Sequence, residues 1–478
     1  MISLSLGQIA QMVSGRLYQP TQKDFDIADV VVTGSVETDS RLVAEGALFV
    51  AKPGEVTDGH NFVEAAKQLG AVAAIVEHEL SSVDLPQIVV ENSVAALGQL
   101  AKVVLAQVRA ETGLKVIGIT GSNGKTTTKN MLRAILSRAG KTIAPIESYN
   151  NEVGAPISVL KIDRETRFLV AELGAGGPGS IAYLADITRP DIAVELKVGM
   201  AHAGEFGGIE TTAAIKAELL DYLPADAIAV LNLDDSYVRE MVSERELNKV
   251  WFGTAPDAGY QASGHELSLA GTSFDLRWPE DPSGANTQRV TLRILGEHHV
   301  MNALASIAVA DSLQIDRAQI IAALEELPLA ERWRMQLLEA PNGITVINDA
   351  YNASPDSTKA ALQTLAQLGR STGRRTVAVI GEMAELGEFS RLEHDAIGRL
   401  CVRLNLGLVI AIGAGAHLVY MGATQEGSYD GEAQFFESVD TALAGVREML
   451  RSGDIVLVKS SKSANLRHLG DALAEVNA

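Results

Sequence analysis

The chain has 478 residues, of which 47% are hydrophobic and 21% are charged. A chain of this length exceeds what one hydrophobic core usually serves, so we expect two or three domains. The formal net charge of −20 argues against binding to a nucleic acid, because the average surface repels a phosphate backbone. An anionic small molecule must therefore be held by local clusters of basic residues.

Cysteine usage and the N-terminus indicate the compartment. The single Cys401 cannot form a disulfide within the chain, which fits a reducing cytoplasm. Residues 1–15 lack a basic leader and predict a short amphipathic helix beginning near Ser5. The apolar stretch 406–423 is interrupted by glycines, which favour a strand, a turn and a helix over a membrane span. We therefore expect a cytoplasmic protein without a membrane span.

The first predicted domain covers residues 1–112 and ends in a helix predicted over 92–110. Within it, Asp39, Ser40 and Arg41 come just before a predicted strand. Such polar groups suit either a turn or a contact with the phosphate and base of a ligand. The residues taken alone favour the turn.

The second predicted domain, residues 113–328, opens with the pattern of a phosphate-binding loop. An apolar β-branched run at 116–119 passes into a glycine-bearing turn at 121–124 and then into a helical pattern. Such a turn lets backbone N–H groups converge on phosphate oxygens, and the helix start adds its positive dipole end. Lys125 would then contact the terminal phosphates and the Thr126 hydroxyl would bind Mg²⁺.

The predicted nucleotide-binding residues of this loop are Gly121, Ser122, Asn123, Gly124, Lys125, Thr126 and Thr127. Their spacing is Thr-Gly-x-x-Gly-Lys-Thr. Ile119 stands where the first glycine of the common phosphate-loop motif should be. Ordinary GTPases and motor ATPases are therefore poor models for this chain.

Three further strands of the second domain lead to the polar residues Glu172, His202 and Asn232. Strands that alternate with helices form a parallel sheet, and ligands gather at the carboxyl ends of its strands. We therefore expect the three residues to face the phosphate loop, with Glu172 and His202 as metal ligands. A lone glutamate at a strand end is usually a cap or a surface charge, and a lone histidine is usually structural. Lys216, on a helical stretch, would by default be solvated.

The rest of the chain predicts a β-rich excursion at 263–291 and a third domain at 329–478. Four apolar strands with intervening helices make that domain Rossmann-like, and the first strand ends at Asp349. Gly413-Ala-Gly415 favours a strand-to-helix turn over a nucleotide site. The predicted fold class is thus α/β, with a small α/β N-terminal domain, a central P-loop ATPase-like domain with a mostly parallel sheet, and the Rossmann-like domain.

These motifs resemble the Mur ligase family, ATP-dependent enzymes that form amide bonds in peptidoglycan precursor synthesis. The likeness rests on the phosphate loop 120–126, Glu172 with Ala201-His202, Lys216-Ala-Glu218, Asn232, Gly296 to Ala303, and Arg334. The resemblance implies two Mg²⁺ ions bound by Thr126, Glu172, His202 and a carbamate on Lys216. It also implies ATP contacts from Asn232, His298, Asn302 and Arg334, with Lys125, Lys216, His202 and Glu172 as catalytic residues.

Within the family, the stretches 149–156, 348–357 and 381–387 resemble the ligase that joins D-alanyl-D-alanine to UDP-N-acetylmuramoyl-tripeptide. The member that adds the third amino acid of the peptide would show Asp-Tyr-Ala-His at 349–352. The implied substrate-binding residues are Ser40 and Arg41 for the uridine nucleotide, Asn150, Asn151, and Asp349, Tyr351 and Asn352 for the dipeptide. We expect a monomer that acts on these small molecules.

The chain departs from the family pattern at Lys197, Ala217, His299, Ser354 and Ser460. Lys197 places a cation near the predicted metal site. Two other kinds of activity stay open: that of the neighbouring Mur ligase or a folylpolyglutamate-type ligase, and that of a regulatory protein that hydrolyses ATP without ligation.

Overall fold

The computed structural model describes residues 1–21, 25–54, 57–145, 149–200, 206–242, 245–281, 283–328, 332–427 and 429–475. Contacts group the chain into two compact units, each assembled from several segments. The first unit consists of Met1–Thr120, Leu136–Val194 and Ala217–Ala229, and the second of Gly121–Ile135, Glu195–Lys216 and Val230–Ala478.

The strands, in chain order, are β1 (Leu4–Ser5), β2 (Arg16–Tyr18), β3 (Val31–Val32), β4 (Val36–Glu37), β5 (Ala47–Val50), β6 (Ala71–Val76), β7 (Gln87–Val89), β8 (Lys115–Thr120), β9 (Thr142–Ile143), β10 (Phe168–Glu172), β11 (Ile192–Glu195), β12 (Ile228–Asn232), β13 (Asn248–Gly253), β14 (Tyr260–Ser268), β15 (Gly271–Arg277), β16 (Gln288–Leu292), β17 (Gln336–Glu339), β18 (Thr345–Asp349), β19 (Thr376–Ile380), β20 (Leu408–Ile412), β21 (Glu432–Phe436) and β22 (Ile455–Lys459).

The α-helices are α1 (Leu6–Met12), α2 (Val63–Gln68), α3 (Ser93–Thr112), α4 (Lys125–Ala139), α5 (Gly154–Val159), α6 (Ser180–Thr188), α7 (Ile209–Asp221), α8 (Ser236–Met241), α9 (His298–Ser312), α10 (Arg317–Glu326), α11 (Pro355–Thr372), α12 (Ser390–Arg403), α13 (His417–Gln425), α14 (Val439–Met449) and α15 (Leu466–Leu473). Short 3₁₀ helices lie at Ile27–Asp29, Ser40–Leu42, Gly59–Phe62, Gly387–Phe389, Ala414–Ala416 and Lys462–Ala464. In the part of the chain that the structure describes, no helix combines the length and the apolar character needed to cross a membrane.

The first unit contains a five-stranded sheet in the order β2-β7-β6-β5-β4, parallel except for β2. One face packs on α1 and α3 through residues such as Leu6 and Leu100, and the other packs on α2. Burial of each such leucine contributes roughly 1.5–3 kcal/mol. The predicted helix near Ser5 is confirmed as α1, whose capping box joins Ser5 and Gln8.

A second set of parallel strands in the first unit has β8 and β9 on either side of β10. In this ladder Glu172 is the Cα partner of Ile119. The register therefore brings Glu172 to the same edge as the end of β8, where the phosphate loop begins. Helix α3 stops just before β8 because Gly113, with φ +70°, takes the left-handed conformation at its end.

The second unit contains a six-stranded sheet in the order β17-β18-β22-β19-β20-β21, parallel except for β17. Helices α11 to α13 cover one face, and α14 and α15 cover the other. The four predicted strands of the Rossmann-like domain are confirmed as β18, β19, β20 and β22. Sequence analysis missed the edge strands β17 and β21, whose residues are mostly half-buried and mixed in polarity. The α/β fold class is thus confirmed, whereas the two boundaries between the three predicted domains stay predictions.

The predicted β-rich excursion is also confirmed in the second unit, where β14, β15 and β16 form antiparallel hairpins. The β14 ladder is irregular between Ser263 and Glu266. Helix α10 contacts the excursion just after β15, because the Arg317 guanidinium lies 4.1 Å from the centre of the Trp278 ring.

Candidate active site

The phosphate loop has the strand, turn and helix that its sequence predicts. Gly121 and Gly124 have φ angles of +148° and +89°, which other residues adopt only with strain. A Cβ atom on Gly124 would lie 2.3 Å from Oδ1 of Asn302, at the start of α9. The glycine at position 124 therefore allows the bend of the loop. It also leaves room for the close approach of Asn302, a predicted nucleotide-binding residue.

Hydrogen bonds from distant segments fix the loop. The Ser122 amide donates to the Lys197 carbonyl at 2.7 Å, and Ser122 Oγ accepts from the Gly199 amide at 2.9 Å. Ser354 Oγ, at the N-cap of α11, donates to Asn123 Oδ1 at 3.2 Å. The loop is thus held by the chain that follows β11 and by the start of α11.

Two cations contact this loop. Lys125 Nζ donates to the Gly121 carbonyl at 2.6 Å. Arg334 Nη2 donates to Thr126 Oγ1 at 3.4 Å, a long bond, although Arg334 is remote in sequence. Positive charge thereby lies at the loop that is predicted to bind the phosphates of a nucleotide. Thr126 and Thr127 are both buried.

A pocket of 490 Å³ opens beside the loop, a size typical of small-molecule sites. Five of the residues that sequence analysis assigned to ATP line it, namely Asn123, Gly124, Asn232, His298 and Asn302. These residues come from the loop, the end of β12 and the start of α9. The structure therefore brings into one cavity predicted residues that are up to 179 positions apart in the sequence, from Asn123 to Asn302.

Sequence analysis missed several other residues of this pocket. They are Asp234, Asp235, Thr254, His265, Glu297, Asp356, Lys359, Gln363 and Gln367. The last four recur every three or four positions along α11, the spacing of one helix face, so that periodicity could have identified them. His265 lies in the β-rich excursion, where no motif marks it.

The polar residues of the pocket wall also organise the backbone. Asn232 Nδ2 donates to the Leu196 carbonyl at 2.7 Å, and its Oδ1 accepts from the Asp234 amide at 3.0 Å. Asn302 Nδ2 lies 3.2 Å from His299 Nδ1. Because the amide nitrogen can only donate, His299 Nδ1 accepts this hydrogen bond when the imidazole is neutral. Asn232 is therefore held rigidly at the end of β12.

The rings of His298 and His299 lie next to each other at the start of α9, with their centres 4.1 Å apart and their planes tilted by 43°. Burial lowers the pKa of His298 to about 4. Burial also lowers the pKa of His299 well below its ordinary value, and the neighbouring His298 and Arg334 lower it further. Both rings are therefore neutral near pH 7.

Lys216 is buried, so the default expectation of a solvated lysine is wrong. Burial lowers its pKa to about 7, and the charge of Lys125 contributes, while Glu195 opposes the shift. Glu195 is fully buried, and burial raises the pKa of its carboxyl well above the ordinary value. Among the described residues, neither Glu195 oxygen has a hydrogen-bond partner. A lysine with this pKa has an appreciable neutral fraction at pH 7, which is the form that can react with CO₂.

In the first unit, Glu172 is the last residue of β10, as expected, and its side chain is buried. Its Oε1 accepts from Asn150 Nδ2 at 2.8 Å. Asn151 Oδ1 accepts from the Gly154 amide at 2.8 Å, at the start of α5. Asn150 thus orients Glu172 and Asn151 supports a helix, while their substrate contacts stay predictions. His202, with Ala201, lies outside the described residues.

The segment at 39–41 forms a turn, the alternative that the residues alone favour. Asp39 caps the 3₁₀ helix that contains Ser40, and Arg41 pairs with Asp39 at 2.6 Å. The Arg41 side chain is 86% exposed. The predicted nucleotide contact of Ser40 and Arg41 is compatible with this exposure and stays a prediction.

At the end of β18, Asp349 has both carboxylate oxygens engaged. Oδ2 accepts from Lys459 Nζ at 2.7 Å, and Oδ1 accepts from the Met335 amide at 2.9 Å. Lys459 Nζ also donates to the Asn352 carbonyl at 2.9 Å. Asp349 therefore shapes the loop that presents Tyr351 and Asn352. The predicted contacts of all three with a dipeptide stay predictions.

The chain is similar to known proteins over almost all of its length. A curated relative from Mycobacterium tuberculosis, named UDP-N-acetylmuramoyl-tripeptide--D-alanyl-D-alanine ligase, is 40% identical and covers 99% of this chain and 98% of its own. The Escherichia coli K12 protein of the same name is 32% identical, with 99% of both chains covered.

Solved structures are similar over the same length. A crystal structure of MurF from Acinetobacter baumannii matches with a TM-score of 0.88 at 30% identity and covers 99% of both chains. MurF from Thermotoga maritima in complex with ADP matches with a TM-score of 0.79 at 27% identity, covering 93% of this chain and 98% of that one.

Family models divide the chain in three. The model of the Mur ligase family catalytic domain matches residues 33–104, that of the Mur ligase middle domain matches 119–310, and that of the Mur ligase glutamate ligase domain matches 333–462. The middle-domain match spans the phosphate loop and most of the pocket wall. With these matches and the identity to full-length relatives, the chain belongs to the Mur ligase family.

Proposed function

We propose that this protein is an ATP-dependent ligase that joins D-alanyl-D-alanine to UDP-N-acetylmuramoyl-tripeptide and releases ADP and phosphate. The observation that carries the proposal is the 40% identity, over 99% of the chain, to the M. tuberculosis ligase of that name. The product is the pentapeptide nucleotide of peptidoglycan synthesis. The phosphate loop and its pocket supply the ATP site that this reaction needs.

The reaction needs activation, because a carboxylate is a poor acylating agent. The terminal phosphoryl group of ATP passes to a carboxylate oxygen of the tripeptide, and ADP leaves. The amine of the dipeptide then attacks the acyl carbon, the amide bond forms, and phosphate departs with the transferred oxygen. Lys125, Arg334 and the loop amides stabilise the charge that develops on the phosphoryl group.

The predicted metal ligands are Thr126, Glu172, His202 and the carbamate of Lys216. When bound, Mg²⁺ would supply positive charge that offsets the negative charge of the ATP phosphates and of the substrate carboxylate. The described residues fit this role, because Thr126 and Glu172 offer buried oxygen atoms of the kind Mg²⁺ prefers. Asn150 orients Glu172 for this purpose.

Lys216 is proposed to be carbamylated, since an ammonium group near a cation would repel it. Its burial and its pKa of about 7 support the reaction of a neutral amine with CO₂. The raised pKa of Glu195 favours a neutral carboxyl there, which would not repel the carbamate anion. Lys216→Ala should therefore lose most activity, and acetate should restore part of it.

A second readout tests the carbamate without turnover. The parent protein in carbon-13 bicarbonate should show a carbamate resonance that Lys216→Ala lacks. Full activity of Lys216→Ala in CO₂-depleted buffer would remove the carbamate from the mechanism.

The proposed activity is tested by mass spectrometry of the products. The purified protein, ATP and Mg²⁺ are incubated with UDP-N-acetylmuramoyl-tripeptides that end in diaminopimelate or lysine, and with D-alanyl-D-alanine. A product of pentapeptide mass is expected, and ADP release should need both acceptor and dipeptide. If diaminopimelate or lysine is joined to UDP-N-acetylmuramoyl-dipeptide at a comparable rate, the protein has the activity of the neighbouring ligase. If ADP is released without an acceptor, the protein only hydrolyses ATP.

The enzyme is further proposed to act as a monomer in the cytoplasm, where nucleotide precursors and ATP are available. The only cysteine, Cys401, is buried in the core of the second unit, and burial raises its pKa to about 12. An unreactive buried thiol suits a reducing compartment but does not require one.

A further inference from the structure

Two cations lie beside aromatic rings in the second unit, at the edge where β18 and β22 end. Lys462 Nζ is 5.6 Å from the centre of the Tyr351 ring, and Arg467 Cζ is 5.3 Å from that of Trp333. Arg467 Nη1 donates to the Lys462 carbonyl at 3.1 Å, which ties the two residues together. We name Lys462 and Arg467 the cation pair.

The cation pair differs from the other basic residues around it. Arg332 pairs with Asp471 at 2.8 Å, and the buried Lys459 pairs with Asp349 at 2.7 Å. Among the described residues, neither member of the cation pair has a carboxylate within 4.0 Å. In a chain with 60 acidic and 40 basic residues, two neighbouring cations without acidic partners indicate a place for an anionic ligand.

The Tyr351 ring connects the cation pair with the phosphate loop. Arg334 Cζ lies 4.3 Å from the centre of the same ring, and Arg334 Nη2 contacts Thr126. Because Arg334 and Lys462 contact one ring, their charged groups are at most about 10 Å apart. An extended dipeptide spans about 7 Å. A dipeptide whose amine lies on the Arg334 side of the ring can therefore place its other end at Lys462.

We infer that Lys462, supported by Arg467, binds the terminal carboxylate of the incoming dipeptide. The inference rests on the proposed function and adds a residue that selects the nucleophile. The amine must be uncharged when it attacks the acyl phosphate, so the carboxylate is the charged group by which the protein can hold the dipeptide. Lys462 is exposed on a 3₁₀ helix, and its backbone is fixed because the preceding Ser461 amide donates to the Glu382 carbonyl at 2.9 Å.

The test compares two nucleophiles that differ only in charge, D-alanyl-D-alanine and D-alanyl-D-alaninamide. The parent enzyme should have a KM for the dipeptide that is roughly tenfold or more below that for the amide, because a charge-assisted hydrogen bond is lost. Lys462→Met should raise the KM for the dipeptide by a similar factor and leave that for the amide unchanged. Lys462→Arg should keep most of the preference.

Arg370→Met is the matched control, since Arg370 is an exposed cation in the last turn of α11. It should change neither KM, and the KM for ATP should be the same in all variants. Equal KM values of the parent enzyme for dipeptide and amide would overturn the inference without any variant. An equal rise for both nucleophiles in Lys462→Met would overturn it as well, while the ligase activity stands. Absence of amide formation by the parent enzyme would overturn the proposed function and this inference together.

Discussion

The phosphate loop and the turn at 39–41 are both short polar segments that carry a cation, yet they are held differently. Ser122 and Asn123 are fixed by partners 77 and 231 positions away along the chain. Arg41 is paired only with Asp39, two positions away, and is 86% exposed. Long-range bonds fix a loop before any ligand arrives, whereas a local pair leaves the cation free to exchange its partner.

The largest expected effect comes from Lys125→Ala, which removes the cation of the fixed loop. Loss of one contact aimed at transition-state charge typically costs about 2.7–4 kcal/mol, or roughly 10²–10³ in rate. The kcat for ADP release should fall by that factor, with an unchanged thermal unfolding midpoint. Lys67→Ala, at a half-buried ion pair on α2, is the control. A rate within threefold of the parent would show that the loop does not serve catalysis.

Gly124→Ala tests whether the fixed loop depends on its glycine. The left-handed backbone and the contact with Asn302 should together lower the free energy of unfolding by about 1–3 kcal/mol. Gly373 has φ +69° with no atom within 4 Å of an added Cβ, so Gly373→Ala measures the backbone strain alone. Urea denaturation of both variants gives the difference. Equal losses would mean that the close approach of Asn302 costs nothing.

His299→Asn should make the second unit less sensitive to acid. The folded pKa of His299 is lowered, so below about pH 6.5 the unfolded chain binds a proton that the folded one does not. The contribution of the buried, neutral His299 to the free energy of unfolding is therefore complete above pH 6.5. As the pH falls below this value, the contribution decreases by up to about 1.4 kcal/mol per pH unit. Between pH 7.5 and 5.5, His299→Asn should lose less stability than the parent in urea denaturation.

The exposed His417 provides the control for that experiment. His417→Asn should keep the acid sensitivity of the parent. If His299→Asn shows the same pH dependence as the parent, burial of His299 does not determine the acid response.

The smallest effect is expected from Arg41→Ala in the locally held turn. An exposed ion pair contributes little to stability because solvent screens it, so the free energy of unfolding should barely change. Arg41→Ala also removes the predicted contact with the uridine nucleotide. Loss of a contact as weak as an exposed ion pair should raise the KM for that substrate by at most roughly fivefold. Steady-state kinetics should show no change in the KM for ATP. An equal rise in both KM values would give Arg41 a structural role.

Local patterns and long-range contacts explain what the sequence could predict. The spacing of Gly121, Gly124 and Lys125 is a local property of one loop, so the strand, turn and helix were predictable. The four apolar runs of the third segment were predictable for the same reason. Burial of Lys216 depends on packing from distant elements, so its helical pattern alone gave the wrong default of a solvated side chain.

The pocket illustrates the same limit. Asn232 was predicted because it ends an apolar strand, and His298 because it belongs to a recognisable helix start. His265 comes from an irregular strand that reaches the pocket only through the pairing of β14 with its neighbours. The engagement of both Asp349 oxygens by Lys459 and Met335 likewise depends on the order of strands in the sheet.

The proposed enzyme uses ATP to activate a carboxylate for amide formation. The most direct measurement uses an acceptor whose reacting carboxylate carries oxygen-18. Transfer of the phosphoryl group to that carboxylate, followed by attack of the dipeptide amine, leaves one labelled oxygen in each phosphate released. One labelled phosphate is expected for every amide bond formed. Unlabelled phosphate would contradict the proposal, because ATP would then be hydrolysed by water without activating the carboxylate.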